Sequence, residues 1–92
     1  MDFEFEWDPQ KAAQNSIKHG VSFEEAESSF DDLNLYTEFD VRHSIEEERY
    51  ISIGFSDRGR LLLIIHTIQD DTIRIISARP CTTNEARLYD AS

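Results

Sequence analysis

The chain has 92 residues, with 19 Asp and Glu against nine Lys and Arg, for a net charge of −10. That length suits one domain over residues 1–92, burying roughly 60 to 65% of the unfolded surface without staples, and the lone Cys81 excludes an internal disulfide framework. No apolar run reaches the length of a membrane span, the acidic start MDFEFEWD is the opposite of a secretory leader, and the overall charge argues against a general nucleic-acid coat. The expectation is a soluble, cytoplasmic protein that does not engage a membrane. The charge is unevenly placed: residues 1–48 carry 14 acids and three bases, whereas residues 49–92 carry five acids and six bases. An anion site therefore belongs on the second half, and a basic partner would prefer the first.

Asp2 to Trp7 alternate acid and aromatic, the period of an edge strand with one buried and one charged face. Asp8-Pro9 opens a helix of about Pro9 to His19 that Gly20 closes, with Ala12, Ala13 and Ile17 as its expected inward stripe. Ser22 and Glu25 have capping-box spacing ahead of a second helix carrying Phe23, Ala26 and Phe30, which Asp31-Asp32 ends. Leu33 to Phe39 is a short strand, and Asp40 to Glu48 is an acidic connector holding Arg42 and His43. Arg49 to Phe55 alternates, which points Ile51, Ile53 and Phe55 at the core. The turn Ser56-Asp57-Arg58-Gly59 pairs this strand antiparallel with the next.

Two β-branched runs, Leu61 to Ile68 and Ile73 to Ala78, are joined by Gln69, Asp70 and Asp71 and read as a central hairpin. Both alternating sets of the first run are apolar, so that strand is covered on both faces. Pro80 ends the sheet, and Thr82 and Glu85 cap a last helix from about Thr83 to Tyr89. The expected fold is α+β: a small antiparallel sheet, two N-terminal helices packed on one face, and a short C-terminal helix.

Three segments, FEWDPQKAAQNSIKHGVSFEEAESSFDD, EERYISIGFSDRGRLLLIIHT and IRIISARPCTTNEARLYD, resemble the BrnT family of toxins almost end to end. FEWDP, KHGVSFEEA and RIISAR, in this order and at these distances, carry the resemblance. It implies a RelE/ParE-like fold and a ribonuclease toxin of a type II toxin-antitoxin system. It also implies neutralisation by a BrnA-type ribbon-helix-helix antitoxin, through which alone the toxin reaches operator DNA, in a heterotetramer. One segment departs from the family: Pro80, Cys81, Thr82, Thr83 and Asn84 stand where relatives carry bases before the last helix. That departure supports a second reading, a module that binds the antitoxin as a corepressor with weak or lost catalysis.

Metal-free RNA cleavage needs a base for the attacking 2′-hydroxyl, an acid for the leaving oxygen and cations for the developing charge, and no cofactor. Arg79, at the end of the last strand, offers a bidentate fork to phosphate, or pairs with Glu85 or Asp90. Arg74, five residues earlier, faces the other way on a regular strand, and a bulge would reunite the two. Arg49 makes either a rim salt bridge with the acids at 46–48 or an RNA contact. His66 is either a core histidine or an acid-base group. Lys18 and His19 suit a helix C-terminus and are kept as RNA-binding candidates by the resemblance, beside Arg60 and Tyr89. Histidine spacing and the absence of a Cys pair argue against zinc, so no metal is expected. The enzyme reading requires Arg49, Arg74 and Arg79 to converge on one open side of the sheet, close enough to grip a single phosphodiester, and fails if they are scattered and each locked to a carboxylate.

Overall fold

The computed structural model describes residues 3–43 and 47–92. The chain runs β1 (Glu4–Glu6), α1 (Pro9–His19), α2 (Phe23–Ser28), β2 (Tyr36–Phe39), β3 (Tyr50–Phe55), β4 (Leu61–Gln69), β5 (Thr72–Pro80) and α3 (Thr83–Ala91). Short 3₁₀ turns at Ser29–Asp31 and Val41–His43 flank β2. Asp2 of the expected first strand, and Glu46 of the acidic connector, lie outside the described residues. No helix among the described residues is long and apolar enough to cross a membrane.

The five strands form one sheet in the order β1-β5-β4-β3-β2. Its three consecutive pairings, β2 with β3, β3 with β4 and β4 with β5, are antiparallel, as the turn residues require. The sheet is nevertheless mixed, because β1 lies parallel to β5, with Phe5 opposite Ile73 and Glu6 opposite Arg74. That corrects the all-antiparallel expectation. After β1 the chain crosses through both helices and re-enters at the far edge, so β1 meets a strand distant in sequence, a pairing that no local turn announces.

The core lies between the sheet and the first two helices: Phe23 and Ala26 of α2, with Val21, pack on Leu62, Ile64, Ile73, Ile75 and Ala78. Phe5, Trp7, Ala12 and Phe30 close its margin, and the edge of Trp7 meets Phe23 at 5.9 Å between ring centroids. In α1 the inward stripe is not the expected one. Ala13 is exposed and Ile17 is 88% exposed, while Asn15 is buried. The Asn15 carboxamide donates to the Val21 carbonyl at 2.9 Å and the Ala78 carbonyl at 2.8 Å, and accepts from the Ala78 amide at 3.1 Å. It thus takes the place of a neighbouring strand where β1 has ended and β5 is still running. A hydrogen-bonding demand, invisible in the apolar period, sets the rotation of this helix.

The expected core set of β3 faces away from α1 and α2, where Ile53 is nonetheless fully buried as expected. Tyr50, Ser52 and Gly54 lie on the helix side, opposite His66, Ile64 and Leu62, and Ile51, Ile53 and Phe55 lie on the other side with Leu63 and Leu61. The reason is the close approach of the turn at Ser29–Asp31, which leaves room only for glycine. A Cβ on Gly54 would stand 2.7 Å from Leu35 Cδ1 and 2.9 Å from the Ser29 carbonyl oxygen. Gly54→Ala is therefore expected to lower stability by about 2 kcal/mol, measured as a lower urea midpoint.

Candidate functional site

The strand β5 carries the feature that decides where its arginines point. Ile65 of β4 pairs with Ser77 and His66 with Ile75, so Ile76 is an extra residue without a partner on β4. The bulge reverses the alternation: Ile73 and Ile75 before it and Ala78 after it all enter the core. Arg74 and Arg79 consequently share the outer face, away from α1 and α2. Arg74 lies beside Thr67 on β4 and Glu6 on β1, and Arg79 lies beside Leu63. Those two rows lie four positions apart on β4, roughly 13 Å along the strand.

The two guanidinium groups have different states. Both terminal nitrogens of Arg79 donate to the Glu85 carboxylate at 2.7 Å, and Glu85 also completes the capping box of α3 with Thr82. This fork holds α3 against the sheet. Arg79 holds the Glu85 carboxyl down to about 2. Arg74 is exposed and forms no ion pair among the described residues. Arg49, one position before Tyr50, continues the row of Thr67 and Arg74, and its Nη2 lies 3.7 Å from a Glu47 carboxylate oxygen.

A cleft of about 430 Å³ opens over this row. Arg74, Lys11, Thr67, Thr72, Gln69 and Ile76 line it together with the carboxylates of Glu6, Glu47 and Asp70. It combines cations for a phosphate, hydroxyls that orient one, and carboxylates able to take a proton. Sequence reasoning missed Lys11, Glu6 and Thr67. Lys11 reaches the cleft only because α1 packs along β5, and Glu6 only because β1 is parallel to it, and neither relation has a local signal.

The remaining candidates lie elsewhere. His66 is fully buried on the helix face, its Nε2 2.7 Å from Ser52 Oγ, which in turn lies 2.8 Å from Thr37 Oγ1. Tyr50 stacks on its ring at 6.0 Å and the edge of Phe30 approaches at 5.1 Å. The sheet separates it from the arginines. Arg60 is bonded to the buried Glu25 and donates to the Gly20 carbonyl at 3.0 Å, while Ser56 donates to the same carboxylate at 2.7 Å. Because Glu25 turns to Arg60, Ser22 caps α2 from one side only. Tyr89 donates to Asp32 at 2.7 Å and sets its ring against Phe55, so it anchors α3. Lys18 and His19 line a smaller groove with Ile76 and Ser77. Burial pushes the Cys81 thiol up to about 11, and no cluster of three metal-binding side chains occurs among the described residues.

Burial also lowers His66 to about 4 from an ordinary 6.5. The unfolded chain therefore takes up a proton between those values that the folded chain refuses. His66 contributes fully to stability above about pH 6.5, and that contribution is lost as pH falls toward 4. Glu85 opens a second, lower window: its stabilisation is present above about 4.5 and lost as pH falls toward 2. Urea midpoints at pH 7 and pH 5 are expected to differ by about 1–2 kcal/mol in unfolding free energy, and His66→Gln should flatten that difference.

Residues 7–85 match a family model described as the ribonuclease toxin, BrnT, of type II toxin-antitoxin systems. The fold is similar to the crystal structure of the Brucella abortus ribonuclease toxin BrnT, with a TM-score of 0.67 and 23% sequence identity over 88% of this chain and 99% of that one. No curated protein sequence matches the chain.

Proposed function

The chain belongs to the BrnT family of ribonuclease toxins of type II toxin-antitoxin systems, and from that premise we propose that it cleaves RNA on the outer face of its sheet. The reading is carried by the row of Arg49, Thr67 and Arg74, where an arginine with no ion pair among the described residues lines an open cleft. In this mechanism a carboxylate of Glu6 or Glu47 takes the proton of the 2′-hydroxyl, whose oxygen bonds to the adjacent phosphorus as the bond to the 5′-oxygen breaks; the products are a 2′,3′-cyclic phosphate and a 5′-hydroxyl, protonated by water. Arg74 and Lys11 hold the phosphate oxygens as charge develops. The reaction needs no metal or other cofactor in this reading, and EDTA is expected to leave the cleavage rate unchanged. Arg79 supports the site indirectly by fixing α3, Arg60 and Tyr89 are structural, and His66 is a neutral core residue.

The partner is an antitoxin, as the family's system requires. We assign it to the BrnA-type ribbon-helix-helix class, forming a cytoplasmic heterotetramer with this chain, which acts as one domain of RelE-like descent. Charge supports a basic arm, because residues 1–48 hold 14 acids and three bases. Induction of the chain alone in bacteria is expected to arrest growth and degrade transcripts, and co-expression of the antitoxin to restore both. Normal growth with intact transcripts would count against the enzyme. That result would favour a corepressor module instead, a reading that one observation supports: the fork of Arg79 is already occupied by Glu85.

A further inference from the structure

The arginine cleft does not stop at α1. Lys11 and Ile76 line both it and a second groove of about 270 Å³ between α1 and β5, whose walls continue with Gln14, Lys18, His19 and Ser77. This second groove has no carboxylate in its lining, in a chain whose acids outnumber its bases 19 to nine. Two of the three bases in residues 1–48, Lys11 and Lys18, are in it.

The geometry of α1 explains how they come together. Positions 11, 14 and 18 recur at helical spacing along one flank of the helix, beside the buried Asn15. Asn15 bonds to both backbone groups of Ala78 and so draws that flank against β5. The bulged Ile76 fills the seam between the two clefts. From Lys11 to Lys18 the helix rises about 10 Å. Each strand of a duplex advances about 3.4 Å along the axis per phosphate, neighbouring phosphates themselves lie farther apart than that rise, and an extended strand stretches them further, so this length accommodates about two of them.

We propose that the groove between α1 and β5 binds the phosphate backbone of single-stranded RNA that flanks the phosphodiester held at Arg74. Lys11 is the junction, Lys18 the distal phosphate contact, and Gln14 and Ser77 are neutral hydrogen-bonding partners between them. The inference rests on the outer-face reading of the Arg74 cleft and adds a direction to it: the substrate leaves the cleft along α1, not across α3. Its chemistry is that of a polyanion strand, because lysines contribute point charges without the bidentate geometry that would select one group.

The test is binding of a short single-stranded RNA bearing 2′-O-methyl groups, which the 2′-hydroxyl mechanism cannot cleave, followed by fluorescence anisotropy across a salt series. Lys18→Gln and Gln14→Glu are each expected to weaken binding about tenfold. Lys18→Gln should also reduce the slope of log affinity against log salt by about 0.7. Arg87→Gln, an equal loss of charge on exposed α3, serves as the control and should retain the affinity. If the unaltered protein binds this RNA and both groove variants bind equally well, the groove assignment is overturned and the Arg74 cleft stands. If the unaltered protein does not bind it, both are overturned.

Discussion

Arg74→Ala is expected to slow RNA cleavage about a hundredfold or more while leaving the fold intact. Removing one preorganised charge contact to a transition state typically costs about 3 kcal/mol, and each 1.4 kcal/mol is about a tenfold change in rate. Arg74 meets the conditions for a clean experiment, since it is exposed and makes no ion pair among the described residues. Its replacement should therefore leave the urea midpoint within the range of ordinary surface changes, about 0.5 kcal/mol. Initial rates on single-stranded RNA, with the midpoint measured on the same preparation, separate the two effects. A variant that cleaves at the original rate would remove Arg74 from the chemistry.

The second large effect is structural. Asn15→Ala is expected to destabilise the chain by about 3 kcal/mol, because three buried hydrogen bonds vanish together and the amide and carbonyl of Ala78 lose their partner beyond the end of β1. Asn15→Asp should be nearly as costly. It retains an acceptor for the Ala78 amide but loses both donations and places a charge in a buried setting. Chemical denaturation measures both. A loss no larger than that of an exposed helix substitution would mean that water replaces the carboxamide without cost.

Much of the fold was legible in the residues because it is encoded locally. Asp8-Pro9 and Gly20 bracket α1, and the Gly20 backbone has the left-handed φ of 68° that such a cap uses. The turn residues 56–59 and the pair Asp70-Asp71 announced the hairpins that give β3, β4 and β5 their antiparallel order. What escaped was set at long range. The parallel placement of β1, the inward turn of Asn15 and the closeness of Ser29 to Gly54 all join segments far apart in sequence.

The site shows the same division. Alternation alone left the relation of Arg74 to Arg79 dependent on a bulge, and the bulge at Ile76 brings both to the outer face. The sequence offered Arg79 either to phosphate or to Glu85, and the pairing with Glu85 is the one formed, whereas the pairing of Arg60 with Glu25 across 35 positions had no local signal. Nothing local marks Lys11 in the first turn of α1, and only the packing of that helix on β5 gives it a place beside Arg74.

The most direct test of an RNA site on the face away from α1 and α2 is to titrate ¹⁵N-labelled protein with the 2′-O-methyl RNA and follow backbone amide shifts. The largest changes are expected at Glu6, Lys11, Thr67, Thr72 and Arg74, with little change at Phe30, Tyr50 and Ser52 around the buried His66. Shifts concentrated on the second group, with the Arg74 row unmoved, would contradict the account.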